Sequence, residues 1–166
     1  MSNEPVNINS QSNDLTERML SNLAYSPFYI SVGSRKYNSV EGFWQGLKFP
    51  SRRERKKVNK LYGVEAKRYG DKAQLLYTYG ERATTFELWG KLYEVGSPKH
   101  WGLMKLAVRY KLMSNHDILK LLFDTGDRPI THILWNSKGE RLPDSVSIPN
   151  PTFAQIMMDL RSEFRG

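Results

Sequence analysis

Apolar residues recur with a helical period most clearly in NSVEGFWQGLKF, Asn38 to Phe49, where Val40, Phe43, Trp44 and Leu47 stand at i, i+3, i+4 and i+7. That spacing predicts an amphipathic helix. At roughly 100° per residue, Glu41, Gln45 and Lys48 fall on a second stripe that flanks the apolar face. Polar groups on a flank can line a cleft, whereas groups opposite the core meet only water. The same residues also fit a structural reading, with Asn38 and Glu41 as a capping box and Gln45 and Lys48 as a solvated flank.

The rest of the pattern predicts an α+β fold, mainly helical, with small β-hairpin elements. Residues 1–17 lack apolar periodicity and read as a flexible N-terminal arm, leaving 18–166 as a single domain. Phe28 to Val32 reads as a strand that turns at Gly33-Ser34 and returns to Tyr37. A basic helix is expected to end near Gly63 and a second, short one near Gly70. Asp71 to Leu92 reads as helical with an interruption around Gly80. Ser97-Pro98 starts a helix through Trp101, Met104, Ala107 and Val108, and Asp124 to Asp127 stops the next. Ile130 to Trp135 and Arg141 to Ile148 flank Asn136-Ser137-Lys138-Gly139 and predict a second hairpin. Asn150-Pro151 opens a last helix with Phe153, Ile156, Met157, Leu160 and Phe164 on its apolar face.

Charge changes this picture locally. Between Arg52 and Lys72 there are nine basic residues, Arg52, Arg53, Arg55, Lys56, Lys57, Lys60, Lys67, Arg68 and Lys72, against Glu54, Glu65 and Asp71. That excess makes up most of the net charge of +8. Such a run is either a solvated helix face or a surface for phosphates, including those of nucleic acid. Cysteine is absent, which removes disulfides and thiolate chemistry. No apolar run reaches the roughly 20 residues that span a bilayer, and MSNEPVNINSQSND has no signal-like apolar core. A cytoplasmic protein with no membrane partner is expected. His100, His116 and His132 lack zinc-ligand spacing, and no phosphate loop or dinucleotide fingerprint is present, so neither metal nor cofactor is expected.

Several segments together carry a resemblance. SNLAYSPF, with Leu20 before it, and NSVEGFWQGLK resemble the opening signature of the NADAR family, also called YbiA-like, in which "(L/F)SNF…SPF" precedes "G…(T/S)xEHxxQAxK". GVEAKRYG from Gly63 is similar to the family's "ARxxGR" region, VRYKLMSNHDILKLLFDTG from Val108 to "RxKFxQNxxLxxLLxxTG", and NPTFAQIMMDLR from Asn150 to "NxLGxxLMxxR". The chain departs from the pattern where the family places an "L-x-E" acid, which falls on His132, and no Trp-Gly pair follows Trp135. The asparagine near the last helix falls on Pro151, one place from Asn150. The family tryptophan corresponds to Trp89 or Trp101.

The resemblance implies an N-glycosidase that cleaves a ribosyl–nitrogen bond in a phosphorylated nucleotide-like or ADP-ribosylated guanine substrate. It implies Glu41 and Lys48 as catalytic residues, and Asn22, Gln45, Trp44, Trp101, His132 and Asn150 as substrate-binding ones. The alternative from another class is a protein that binds nucleotide, ADP-ribose or nucleic acid without turnover.

Overall fold

The computed structural model describes residues 3–30, 35–76 and 84–166, with side chains at 74–76 left aside. In chain order the described elements are β1 (Val6–Asn7), α1 (Leu15–Met19), β2 (Phe28–Ile30), β3 (Arg35–Tyr37), α2 (Val40–Gly46), α3 (Arg52–Asn59), α4 (Gly63–Leu76), β4 (Thr85–Leu88), β5 (Lys91–Glu94), α5 (Pro98–Ser114), α6 (His116–Asp124), β6 (Ile130–Thr131) and α7 (Asn150–Arg165). The architecture is α+β and mainly helical. Its strands form two-stranded pairs: β1 with β6 in parallel, and β2 with β3 and β4 with β5 antiparallel.

The seventeen-residue α5 is the axis of the core. Ser97 caps it, its Oγ accepting from the His100 N–H at 3.2 Å. Pro98 occupies the first turn, where no backbone donor is needed. Leu103, Met104, Ala107, Val108 and Leu112 are buried against α2, α7 and β2. Phe153, Ile156, Met157 and Leu160 of α7 complete the apolar face predicted for the last helix. Thr125 ends α6, with Gly126 beyond it at φ 61°. That is the left-handed geometry glycine adopts without penalty.

Four expectations are corrected. The arm is not loose over its described part: Val6 and Ile8 are buried, and their N–H groups donate to Pro129 and Thr131 carbonyls at 2.8 Å. A two-residue strand is too short to leave a period in the sequence. Ile130–Thr131 therefore pairs with this N-terminal strand and not with 141–148. Of the second hairpin only a tip remains, the Trp135–Arg141 bridge and the Leu142 N–H to Leu134 carbonyl bond at 2.8 Å. Pro143 and Pro149 break the returning run, since proline donates nothing to a ladder.

The third correction concerns the end of the stretch from Asp71 to Leu92 expected to be helical: it is helical to Leu76, but Thr85–Glu94 is not. The latter is a hairpin whose turn residues Trp89 and Gly90 both have positive φ, 53° and 76°. Two-residue hairpin turns require that geometry. Alternating Phe86, Leu88, Leu92 and aromatic Tyr93 favour strand over helix here. The expected interruption near Gly80 and the turn at Val32 to Ser34 lie outside the described residues. Fourth, the basic helix α3 does end shortly before Gly63, at Asn59, but the next helix does not end near Gly70, which lies inside α4. The reason for that glycine is found at the site.

Candidate functional site

A seven-residue helix is too short to be stable alone, so α2 is held by what surrounds it. Every one of its residues is buried. Ser39, not Asn38, is the cap: its Oγ accepts from the Gly42 N–H and donates to the Leu61 carbonyl, both at 2.9 Å. Three faces then do three things. Val40, Phe43, Trp44 and Leu47 enter the main core. Gly42 faces α3 so closely that a Cβ would sit 2.8 Å from the Val58 carbonyl oxygen and 2.9 Å from that of Leu61. The third face carries Glu41 and Gln45.

With Ser39 as cap, the capping-box reading of Glu41 is displaced. Gln45 Nε2 donates to Glu41 Oε1 at 2.6 Å, and the Glu41 N–H donates to the Asn22 carbonyl at 2.9 Å. Burial pushes the Glu41 carboxyl up from the ordinary glutamate range, against the opposing effects of the Gln45 hydrogen bond and the cations Lys48 and Lys67. Asp71, the carboxylate felt at this site, adds to the upward shift. Two buried acceptors beside this pair, Gln45 Oε1 and Asn22 Oδ1, have no hydrogen-bond partner, while Asn22 Nδ2 points to Met104 Sδ at 3.5 Å. Buried amide oxygens are normally satisfied, so that of Gln45, on the amide that holds the Glu41 carboxyl, and that of Asn22, whose backbone carbonyl takes the Glu41 N–H, are open positions for donors.

Gly70 of α4 makes this packing possible. A Cβ there would lie 1.9 Å from Gln45 Oε1, so the absence of a side chain at 70 gives the glutamine its place. The helix α4 thus carries Lys67, Gly70 and Asp71 to the polar stripe of α2. Sequence reasoning places Lys67 only in the basic run and Asp71 only among its counterions; a glycine inside a helix is the available signal.

The remaining sequence candidates lie in other surroundings. Lys48 is half-buried and its charge reaches Glu41. The Trp44 ring is buried and stacks on His100 at 4.1 Å and 7°, with Phe86 edge-on to the histidine at 4.9 Å. His100 Nδ1 accepts from the Gly96 N–H at 3.1 Å, and burial lowers its pKa to about 4, so this ring is neutral. Trp101 Nε1 donates to the Ser147 carbonyl at 2.9 Å, and the residue borders an open hollow of about 280 Å³ between α5 and α7. A second hollow, of about 140 Å³, is lined by Arg18, Leu23 and Val64. The lining of neither hollow includes Glu41, and the unmet hydrogen-bonding demand lies at the α2 stripe. His132 Nδ1 donates to the Ile8 carbonyl at 2.8 Å and its ring meets Phe153 edge-on, while Asn150 is buried in the first turn of α7. Asn22, Glu41, Gln45 and Lys48 are therefore brought together with Lys67 and Asp71, whereas His132 and Asn150 sit by α7.

Of the nine basic candidates, Arg55 is not part of the open surface: its Nε donates to the Phe49 carbonyl at 2.6 Å and Nη2 to that of Glu87 at 2.8 Å. The other eight are exposed. Among the described residues no three His, Cys, Asp or Glu converge as metal ligands, and no helix is long and apolar enough to cross a membrane.

No protein-family model and no curated protein matches the chain. Among solved structures, the NMR structure of the E. coli protein YbiA is similar over 99% of this chain and 87% of that one, with a TM-score of 0.66 and 18% sequence identity. The fold is YbiA-like.

Proposed function

We propose that the protein is a divergent NADAR-type N-glycosidase that hydrolyses a ribosyl–nitrogen bond in a phosphorylated nucleotide-like or ADP-ribosylated guanine substrate. The observation that carries this reading is the buried Glu41 carboxyl, hydrogen-bonded by Gln45, whose own amide oxygen has no partner. Breaking a C1–N bond needs a proton for the departing nitrogen, stabilisation of positive charge at the anomeric carbon, and a nucleophile. A carboxyl whose pKa burial raises holds its proton more firmly than an ordinary glutamate, and such a group serves the first need. Glu41 gives its proton to the leaving nitrogen as the bond electrons move there. The resulting carboxylate stabilises the cationic sugar and takes a proton from the water that attacks C1, restoring the acid.

Gln45 Oε1 and Asn22 Oδ1 accept from ribose hydroxyls or a base amino group. Lys48 and Lys67 supply positive charge for phosphate. Lys48 also offers an amine to the opened sugar aldehyde if its proton is withdrawn. Product release followed by mass spectrometry tests this, with ribosylaminopyrimidine phosphates and ADP-ribosylated guanosine or DNA as substrates. Multiple turnovers by wild type and their loss in folded Glu41→Gln support the proposal; equal turnover by both overturns it.

One observation favours a second reading, a binder without turnover. The family's second acid falls on His132, a ring that donates to a backbone carbonyl and whose pKa burial lowers, so it offers no carboxylate. Asp71 is the group that would replace that acid. Saturable binding of the same compounds with no product from wild type would establish the binder.

A further inference from the structure

We propose that the exposed face of α3, together with the Tyr25–Tyr62 pair at its C-terminal end, binds single-stranded nucleic acid. The basic side chains take the phosphates, and the tyrosine rings stack on unpaired bases. This surface is separate from the Glu41 chemistry and does not depend on it.

Arg53, Lys57 and Lys60 stand at i, i+4 and i+7, with Arg52 and Lys56 on the adjoining stripe, and all five are exposed. They form a track about 10 Å long. Glu54 interrupts it once and is already engaged by Lys57 at 3.3 Å and by the Tyr69 hydroxyl. What distinguishes this track from an ordinary solvated helix is where it leads. Asn38 donates from its backbone to the Asn59 carbonyl and from Nδ2 to that of Lys60, while its own carbonyl accepts from the Ser26 N–H. The Gly63 N–H donates to the Leu23 carbonyl at 2.7 Å. These bonds tie the 23–26 loop to the end of α3.

They hold Tyr25 and Tyr62 with ring centroids 5.0 Å apart at 62°, and each residue remains 52% exposed. Four residues beyond Tyr25, Tyr29 is 58% exposed and pairs across β2 and β3 with the exposed Lys36. Aromatic faces at the end of a cationic track match the two parts of a single strand, a phosphate backbone and bases with open π-faces. Duplex bases are already stacked on each other, and an acidic peptide offers charge without such faces. An anionic membrane offers charge but no base for the tyrosine rings to stack on.

Fluorescence anisotropy of a labelled 12-nucleotide single strand and the corresponding duplex, titrated with the full-length protein over a range of salt, tests the proposal. Wild type is expected to prefer the single strand and to weaken steeply as salt rises. The Tyr25→Ala/Tyr62→Ala variant should lose about tenfold or more for the single strand with duplex affinity unchanged, and the Tyr25→Phe/Tyr62→Phe variant should keep it. Lys56→Glu/Lys60→Glu alters only exposed side chains, so it reads the cationic track even if the alanine pair fails to fold; it should weaken both ligands and flatten the salt response. Preference for duplex, a flat salt response in wild type, or unchanged affinity in the lysine variant overturns the proposal. Binding to phosphatidylserine vesicles with no oligonucleotide binding would assign the surface to membranes and equally overturn it.

Discussion

Glu41 and Lys111 are both buried ionisable groups, and the structure treats them in opposite ways. Lys111 Nζ donates to the carbonyls of Met19 and Ser21, each at 2.9 Å, and burial pulls its pKa down to about 7. Two of its N–H donors are thus met by carbonyls of its own chain. Glu41 receives one side-chain hydrogen bond, from Gln45, and beside it Gln45 Oε1 and Asn22 Oδ1 have none. A polar group bonded by its own chain helps to hold the fold, while unmatched atoms beside one leave room for a further partner. The two are linked in sequence, because Lys111 fixes the carbonyl of Ser21 immediately before Asn22. The lysine thus anchors the backbone next to Asn22.

The largest break in this comparison is expected at Glu41. If it is the acid, Glu41→Gln lowers turnover by about 10²-fold or more. Stability should stay level or rise, because the raised carboxyl pKa means that ionised Glu41 is a burden in the folded state. Worked through, that burden is absent below the unfolded carboxyl pKa and full once pH has risen above the folded one. The variant should therefore gain more over wild type at pH 8 than at pH 4 in urea unfolding. A large loss of stability at pH 8 would instead make Glu41 a structural group.

Lys111→Ala should do the reverse of this. Removing the side chain opens a cavity and strands two buried carbonyls, with about 3–5 kcal/mol of stability lost. Urea unfolding at pH 7 measures it, and a loss below about 1 kcal/mol would show that the carbonyls find water. Titration sharpens the contrast further. Lys111 has a folded pKa of about 7 and an ordinary value of 10.5, so between these the unfolded chain binds more protons. Stability from this group rises with pH across that window and is flat below it. Lys111→Met, which cannot titrate, should lose that rise; the same slope in both proteins would mean that Lys111 is not its source.

How much of this is legible in the sequence follows from length and period. The α2 stripe, the capped start of α5 and the apolar face of α7 are readable because several turns repeat one spacing. Thr85 to Leu92 reads wrongly as helix because four-residue strands give a weak signal and the Trp89 turn relies on a backbone conformation that only its context selects. Lys111 is hidden, since a lysine in VRYKLM reads as a solvated helical residue until two carbonyls close over it. Lys67 and Asp71 are visible as charges, but only the packing of α4 on α2 gives them a carboxyl to act on. The unmatched amide oxygens have no sequence signature at all.

Gly70 is where the smallest stability change should report most directly on the site. Alanine at an interior helix position is favoured over glycine by about 1 kcal/mol, which would stabilise α4. Against this stands the Gln45 carboxamide oxygen, 1.9 Å from where the new Cβ would sit. Gln45 Cδ and Cγ would lie 2.4 and 2.9 Å away as well, so the whole flexible side chain must turn aside, and the two effects should leave Gly70→Ala within about 2 kcal/mol of wild type. The displaced Gln45 can no longer donate to Glu41, and with that lowering influence gone the carboxyl pKa should climb further, as a ¹³C titration of the Glu41 carboxyl would show. If the proposed chemistry holds, turnover falls with it while stability stays within that range. A loss of several kcal/mol with the Glu41 titration unchanged would mean that Gly70 serves only the contact between two helices.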